Sequence, residues 1–145
     1  MNDTWWTPPI ALVFFLFVSF LGMVLCSRNA NASPLDGTWL VADRVAVDMS
    51  DCGGAVCGRI VWLRNPDLRT PQMCGRSIVW GLSPDGPQHW ANGWVFDPET
   101  GRTYHLSAVR TSNDLIQARM YAGLSIFGET KMLKRITSRS LAGWC

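Results

Sequence analysis

Cys52-Gly53-Gly54-Ala55-Val56-Cys57, running directly into Gly58-Arg59-Ile60-Val61-Trp62, is the stretch whose reading decides the fold. Two glycines, which tolerate positive φ, lie between cysteines close enough to bridge, and a β-type apolar run follows. Facing residues of an antiparallel pair lie about 4.5–5.5 Å apart at Cα, a span that a disulfide covers. The stretch therefore predicts a hairpin tip stapled by Cys52 and Cys57. Such a staple persists only in an oxidising compartment.

Outward from this tip the chain reads as short strands with turn punctuation, and no helical period persists. Asp36 to Val41 opens the series, Val45 to Val47 leads to the tip, and Arg59 to Leu63 leads away. Asn65 to Gly75 is a Pro-containing loop, and Ser77 to Gly81 is a strand ended by Ser83-Pro84-Asp85-Gly86-Pro87. Gly93 to Phe96 meets the tight turn Asp97-Pro98-Glu99-Thr100-Gly101, and Thr103 to Val109 returns. Leu115 to Tyr121, the bend Gly123 to Gly128 and Glu129 to Ile136 complete the set. About eight strands at this spacing predict an all-β antiparallel meander, a sandwich or a closed barrel. Alternation places Tyr104, Leu106 and Ala108 on one inward face and Ile116, Ala118 and Met120 on another. Ala108 and Ala118 are small, which leaves room either for a cavity or for complementary packing.

Residues 1–32 read as a leader. Ile10 to Cys26 is an uncharged apolar run, and Ala30-Asn31-Ala32 offers small residues at −3 and −1, so cleavage is expected between Ala32 and Ser33. The first nine residues carry no Lys or Arg. An uncleaved membrane anchor is the competing reading, although the run spans only about 25 Å as a helix. Residues 33–145 are then one domain with one core. Over the whole chain 13 Lys and Arg face 11 Asp and Glu, interspersed, which implies neither nucleic acid nor an anionic membrane surface as partner. The membrane enters only through the N-terminal segment, if it is retained.

Cys52, Cys57, Cys74 and Cys145 can pair in three ways, and the expected set is Cys52–Cys57 with Cys74–Cys145. The second bond would tie the last residue to the middle of the chain, which suits a sheet closing on itself. A zinc site fits poorly, because the cysteine spacing is wrong and His89 and His105 fall in separate segments. No metal and no cofactor are expected.

Two residue sets resemble known patterns. Gly37-Thr38-Trp39 is similar to the Gly-x-Trp of lipocalin-type barrels, in which a basic residue of the last strand lies over the Trp; Arg135, or its neighbour Lys134, is the counterpart here. A longer set resembles a family of secreted bacterial proteins, domain-of-unknown-function family 2147. It comprises Asp36 to Trp39, Cys57 to Leu63, Asn65-Pro66-Asp67, Cys74-Gly75, Gly93-Trp94, Asp97-Pro98, Gly101 to Tyr104, Tyr121 and Gly128-Glu129-Thr130. The terminal Gly143-Trp144-Cys145 resembles members that also carry the cysteine matching Cys74. The resemblance implies a lipocalin-like barrel exported to the periplasm or beyond. It brings no activity, so no catalytic residue is carried over.

Enzyme chemistry finds little footing. His89 and His105 lack partner motifs, Asp85 and Asp97 belong to turns, and no nucleophile elbow or phosphate loop occurs. A binding role rests on aromatics and their apolar neighbours. The cavity candidates are Ile60 and Trp62, Trp94 and Phe96, Tyr104 and Leu106, Ile116 and Met120, with Gly37, Trp39 and Arg135 as the structural plug. The expected function is non-catalytic binding of a small apolar or amphipathic molecule, such as a lipid or fatty acid, in the bacterial envelope. The alternative is a filled barrel whose loops bind another envelope protein.

Overall fold

The structure is a computed structural model and describes residues 32–137 and Cys145. The leader reading falls on residues outside this range, apart from Ala32 at its edge, and so do Gly143 and Trp144. Eight strands follow one another: β1 (Gly37–Val41), β2 (Val45–Asp51), β3 (Val56–Leu63), β4 (Ser77–Pro84), β5 (His89–Asp97), β6 (Arg102–Ser112), β7 (Leu115–Tyr121) and β8 (Glu129–Arg135). Each pairs antiparallel with its sequence neighbours, and β1 pairs with β8 through Trp39↔Arg135, Leu40↔Lys134 and Val41↔Leu133. The meander therefore closes into a barrel, which removes both sheet edges. The unit 32–145 contains every described strand and the core cluster of the described residues.

Two bulges make the strands longer than their apolar patterns suggest. The strand read as Gly93 to Phe96 begins earlier, at His89: Asn92 takes a φ of 61° inside β5, and the register slips by one residue between Trp90↔Ala108 and Gly93↔Leu106. Asn92-Gly93 is a bulge that bends the strand without ending it. In β3 the register passes from Val47↔Ile60 to Ala46↔Trp62, so Val61 is the extra residue. Beyond it the alternation is reversed.

An up-and-down barrel has two ends. The N-terminal segment and the β2–β3, β4–β5 and β6–β7 turns lie at the base; the β1–β2, β3–β4, β5–β6 and β7–β8 connections lie at the mouth. Trp39 fills the base. It is fully buried, and its Nε1–H donates to the Leu35 carbonyl at 2.7 Å. The Arg135 guanidinium sits 4.2 Å over the indole ring and donates to the carbonyls of Asp36 (2.7 Å) and Asn113 (2.9 Å). One cation thus ties β8 to the N-terminal segment and to the β6–β7 turn. Gly37 makes this approach feasible: its φ is +119°, and a Cβ there would stand 2.6 Å from Arg135 Nη1.

Cys52 and Cys57 bridge the base hairpin with Cα atoms 5.9 Å apart, and Cys74 and Cys145 bridge the β3–β4 connection to the chain end with Cα atoms 5.2 Å apart. Both spans suit a disulfide. Chain entropy assigns about 2 kcal/mol to the small loop and about 4 kcal/mol to the large one. The Cys145 amide also donates to the Val61 carbonyl at 3.0 Å, so the terminus is held by backbone as well as by sulfur.

Candidate ligand cavity

A cavity of ≈ 640 Å³ occupies the mouth half of the barrel. Every strand except β3 contributes to its wall, which is apolar at depth through Val47, Met49, Leu106, Ala118 and Leu133. Ile60, Ile116 and Trp39 belong to the buried core and not to the cavity lining. Inward alternation shapes the wall: Leu106 faces Met120 and Ala108 faces Ala118 across β6 and β7, so two alanines widen the tube where larger residues would close it.

Polarity appears only toward the opening. Glu129 and Lys131 follow the inward parity of Leu133 on β8, and they form an ion pair with each other. Tyr104, opposite Val95, brings a phenol to the wall. Arg44 of the β1–β2 turn and Glu99 of the β5–β6 turn meet at 2.9 Å, a bridge between turns from opposite sides of the barrel. Asp97 orders its own turn, accepting from the Glu99 amide at 2.9 Å and the Thr100 hydroxyl at 3.0 Å. An apolar hollow with a few convergent polar groups is the composition of a small-molecule site. Among the described residues no three of His, Cys, Asp or Glu cluster as metal ligands would.

Of the sequence candidates, Phe96, Tyr104, Leu106 and Met120 line this cavity, and Phe96 also lies 4.0 Å beneath the Arg76 guanidinium. Four candidates require correction. Ile60 and Ile116 are fully buried core residues that do not line the cavity. Trp62 stands on the outer face, because the Val61 bulge pairs it with Ala46, whose neighbours Val45 and Val47 line the cavity. Arg69 of the β3–β4 connection lies 5.6 Å from its ring. Trp94 is also outside: Gly93 is buried and Val95 lines the cavity, so the indole between them turns to solvent and rests 3.9 Å from the His105 ring.

The sequence reading missed the β8 contribution. In Glu129-Thr130-Lys131-Met132-Leu133 the charged residues alternate inward and Met132 outward, contrary to the usual sorting, because a mouth open to water accepts charge. Phe127, in the bend before β8, was missed for a related reason, since a bend offers no parity to read.

Comparison with solved structures supports this architecture. HP1028 of the human pathogen Helicobacter pylori, described as belonging to the lipocalin family, superposes with a TM-score of 0.59 at 17% sequence identity. The match covers 72% of this chain and 84% of that one, and it bears on the fold alone. No curated protein matches the chain. The family described as "Uncharacterized protein conserved in bacteria (DUF2147)" matches residues 37–135, from Gly37 of the plug to Arg135 above it. The span takes in all eight strands, and the chain belongs to that family.

Proposed function

We propose that this protein is an exported carrier which holds a small apolar or amphipathic molecule in the barrel, with its polar end at the mouth. The carrying observation is the ≈ 640 Å³ hollow with an apolar interior and a polar rim, within the size range of small-molecule sites. Apolar burial at about 25 cal/mol per Å² supplies the affinity, and Tyr104, Lys131 and Glu129 orient the head group. Two cysteine pairs at disulfide distance support an oxidising location in the bacterial envelope, reached after cleavage between Ala32 and Ser33. The role is binding without turnover: the histidines lie outside the cavity and Asp97 is committed to its turn.

Native mass spectrometry of protein released gently from its host envelope tests this reading. A stoichiometric co-purifying lipid or fatty acid is the expected result. An empty barrel recovered with a protein partner would replace the carrier by an interaction module.

The bridge across the mouth has a kinetic consequence. Arg44 is largely and Glu99 partly exposed, so the pair contributes only about 0–1 kcal/mol to stability, yet it spans the path a ligand takes. Arg44→Ala is expected to speed binding and release of a dansyl-labelled fatty acid severalfold in stopped-flow fluorescence, with Tm nearly unchanged. Raised salt should produce a similar acceleration in the parent protein and a smaller one in the variant.

A further inference from the structure

We propose that the barrel docks mouth-first on a lipid surface through the β7–β8 connection, which deepens the carrier reading by naming where the cargo is collected. The most exposed large apolar side chains among the described residues are Leu124, Ile126 and Phe127, at 66%, 72% and 79%. All three lie on one short turn built round the 3-10 segment Ser125–Phe127, and Phe127 lines the cavity opening. Scattered exposed apolar residues are ordinary on a protein surface, whereas three on one tip beside an apolar cavity mark an interaction site.

The backbone of this tip says which partner it meets. Phe127 N–H donates to Leu124 O at 3.2 Å and Gly128 N–H to Ser125 O at 3.1 Å. Arg119, reaching from the outer face of β7, donates from Nε to Ser125 O at 2.7 Å, from Nη2 to Ile126 O at 3.0 Å and from Nη1 to Thr130 Oγ1 at 3.1 Å. The carbonyls of Leu124, Ser125 and Ile126 thus all have donors within the molecule. A loop facing water has no need of this, because water supplies donors freely. A loop entering lipid does, since an unpaired backbone group there is costly. Gly128 fixes the tip against β7: a Cβ would lie 2.7 Å from Met120 O and 2.9 Å from Tyr121 Cβ.

A second observation fits the same partner. Trp80, Trp94, His105 and Tyr121 are successive cross-strand partners on β4, β5, β6 and β7, forming one outward strip of rings. His105 lies 3.9 Å from Trp94 and 5.3 Å from Tyr121, centroid to centroid. The strip runs toward the mouth from mid-strand positions, Trp80 on β4 and Trp94 on β5, through His105 to Tyr121, which ends β7 and adjoins the tip. Trp and Tyr rings favour the head-group level of a bilayer, which the Tyr121 end of this strip would occupy with the tip inserted beyond it. Charges around the mouth are of both signs, so insertion rather than attraction to anionic lipid supplies the affinity.

Flotation of the barrel unit, residues 32–145, with phosphatidylcholine–phosphatidylethanolamine vesicles tests this. Leu124→Asp/Ile126→Asp is the informative variant, because neither residue lines the cavity. The parent should float with the vesicles, and the variant's bound fraction should fall at least about tenfold through loss of two apolar insertions. Brominated lipid should quench parent tryptophan fluorescence, through Trp80 and Trp94, and spare the variant. Uptake of dansyl-undecanoic acid from solution should be the same in both, which also shows that the variant is folded. A parent that stays in the aqueous layer, or a variant that floats equally well, overturns the docking proposal. A parent that floats but takes up no dansyl acid leaves docking intact and removes the carrier reading instead.

Discussion

Replacing Trp39 by alanine is expected to lower the unfolding free energy by roughly 3–5 kcal/mol, the range for truncating a buried aromatic. For a domain of about 100 residues this means a fall in Tm of at least about 12 °C, read by far-ultraviolet circular dichroism because a tryptophan is being removed. Three contributions converge. The indole is fully buried, so its removal leaves a void that Leu35 and Ile60 can fill only in part. The Leu35 carbonyl loses the Nε1–H donor at 2.7 Å. Arg135 loses the ring 4.2 Å beneath it, while its bonds to Asp36 and Asn113 still fix it over the gap. Trp94→Ala is the control. That indole is 38% exposed and lies outside the sheet, so the expected loss is under about 1 kcal/mol. Equal losses at the two sites would mean that the base is not closed by Trp39.

The contrast between these tryptophans shows which parts of the fold were legible in the sequence. Strand number and order could be read, because turn residues such as Asp97-Pro98 punctuate alternating runs. Closure into a barrel, left open against a sandwich by that pattern, followed only from the resemblance carried by Gly37-Thr38-Trp39 and the longer residue set. The alternation of Tyr104, Leu106 and Ala108 against Ile116, Ala118 and Met120 agrees with the observed register, since β6 and β7 face one another without a bulge over that span. Parity failed elsewhere for two reasons. In β3 a single extra residue, Val61, turns Trp62 outward, and nothing in an apolar run announces a bulge. In β4 and β5 both faces are apolar, so Trp80 and Trp94 are indistinguishable from core residues by composition. Large aromatic residues were weighted toward the interior, and the molecule instead uses Gly93 and Val95 there. Depth was illegible too: Ile116 has the right face but is the second residue of β7 after the base turn, and Ile60 is buried outside the cavity lining although its partner Val47 belongs to it, which no local pattern encodes. The Arg44–Glu99 bridge joins residues 55 apart in sequence and becomes visible only when the barrel closes.

Because the hollow owes its width to small side chains at one level, Ala118→Trp should abolish most ligand binding while leaving the barrel folded. Ala118 pairs with Ala108 on one side and Lys131 on the other, and it lines the cavity. An indole projected from this position enters space that is empty, so the usual cost of overpacking, about 1–3 kcal/mol, should be largely avoided. The dissociation constant for a dansyl-labelled fatty acid should rise at least about tenfold, equivalent to about 1.4 kcal/mol, because the acyl chain and the indole compete for one volume. Gln117→Trp provides the control: its side chain is exposed on the outer face, one residue away, and should leave affinity unchanged. Isothermal titration and circular dichroism together separate occlusion from unfolding. If Ala118→Trp binds as tightly as the parent with an intact sheet, the ligand sits elsewhere, and the outer ring strip from Trp80 to Tyr121 becomes the surface to mutate next. If Gln117→Trp weakens binding equally, the loss reflects general disturbance of β7 and carries no information about the hollow.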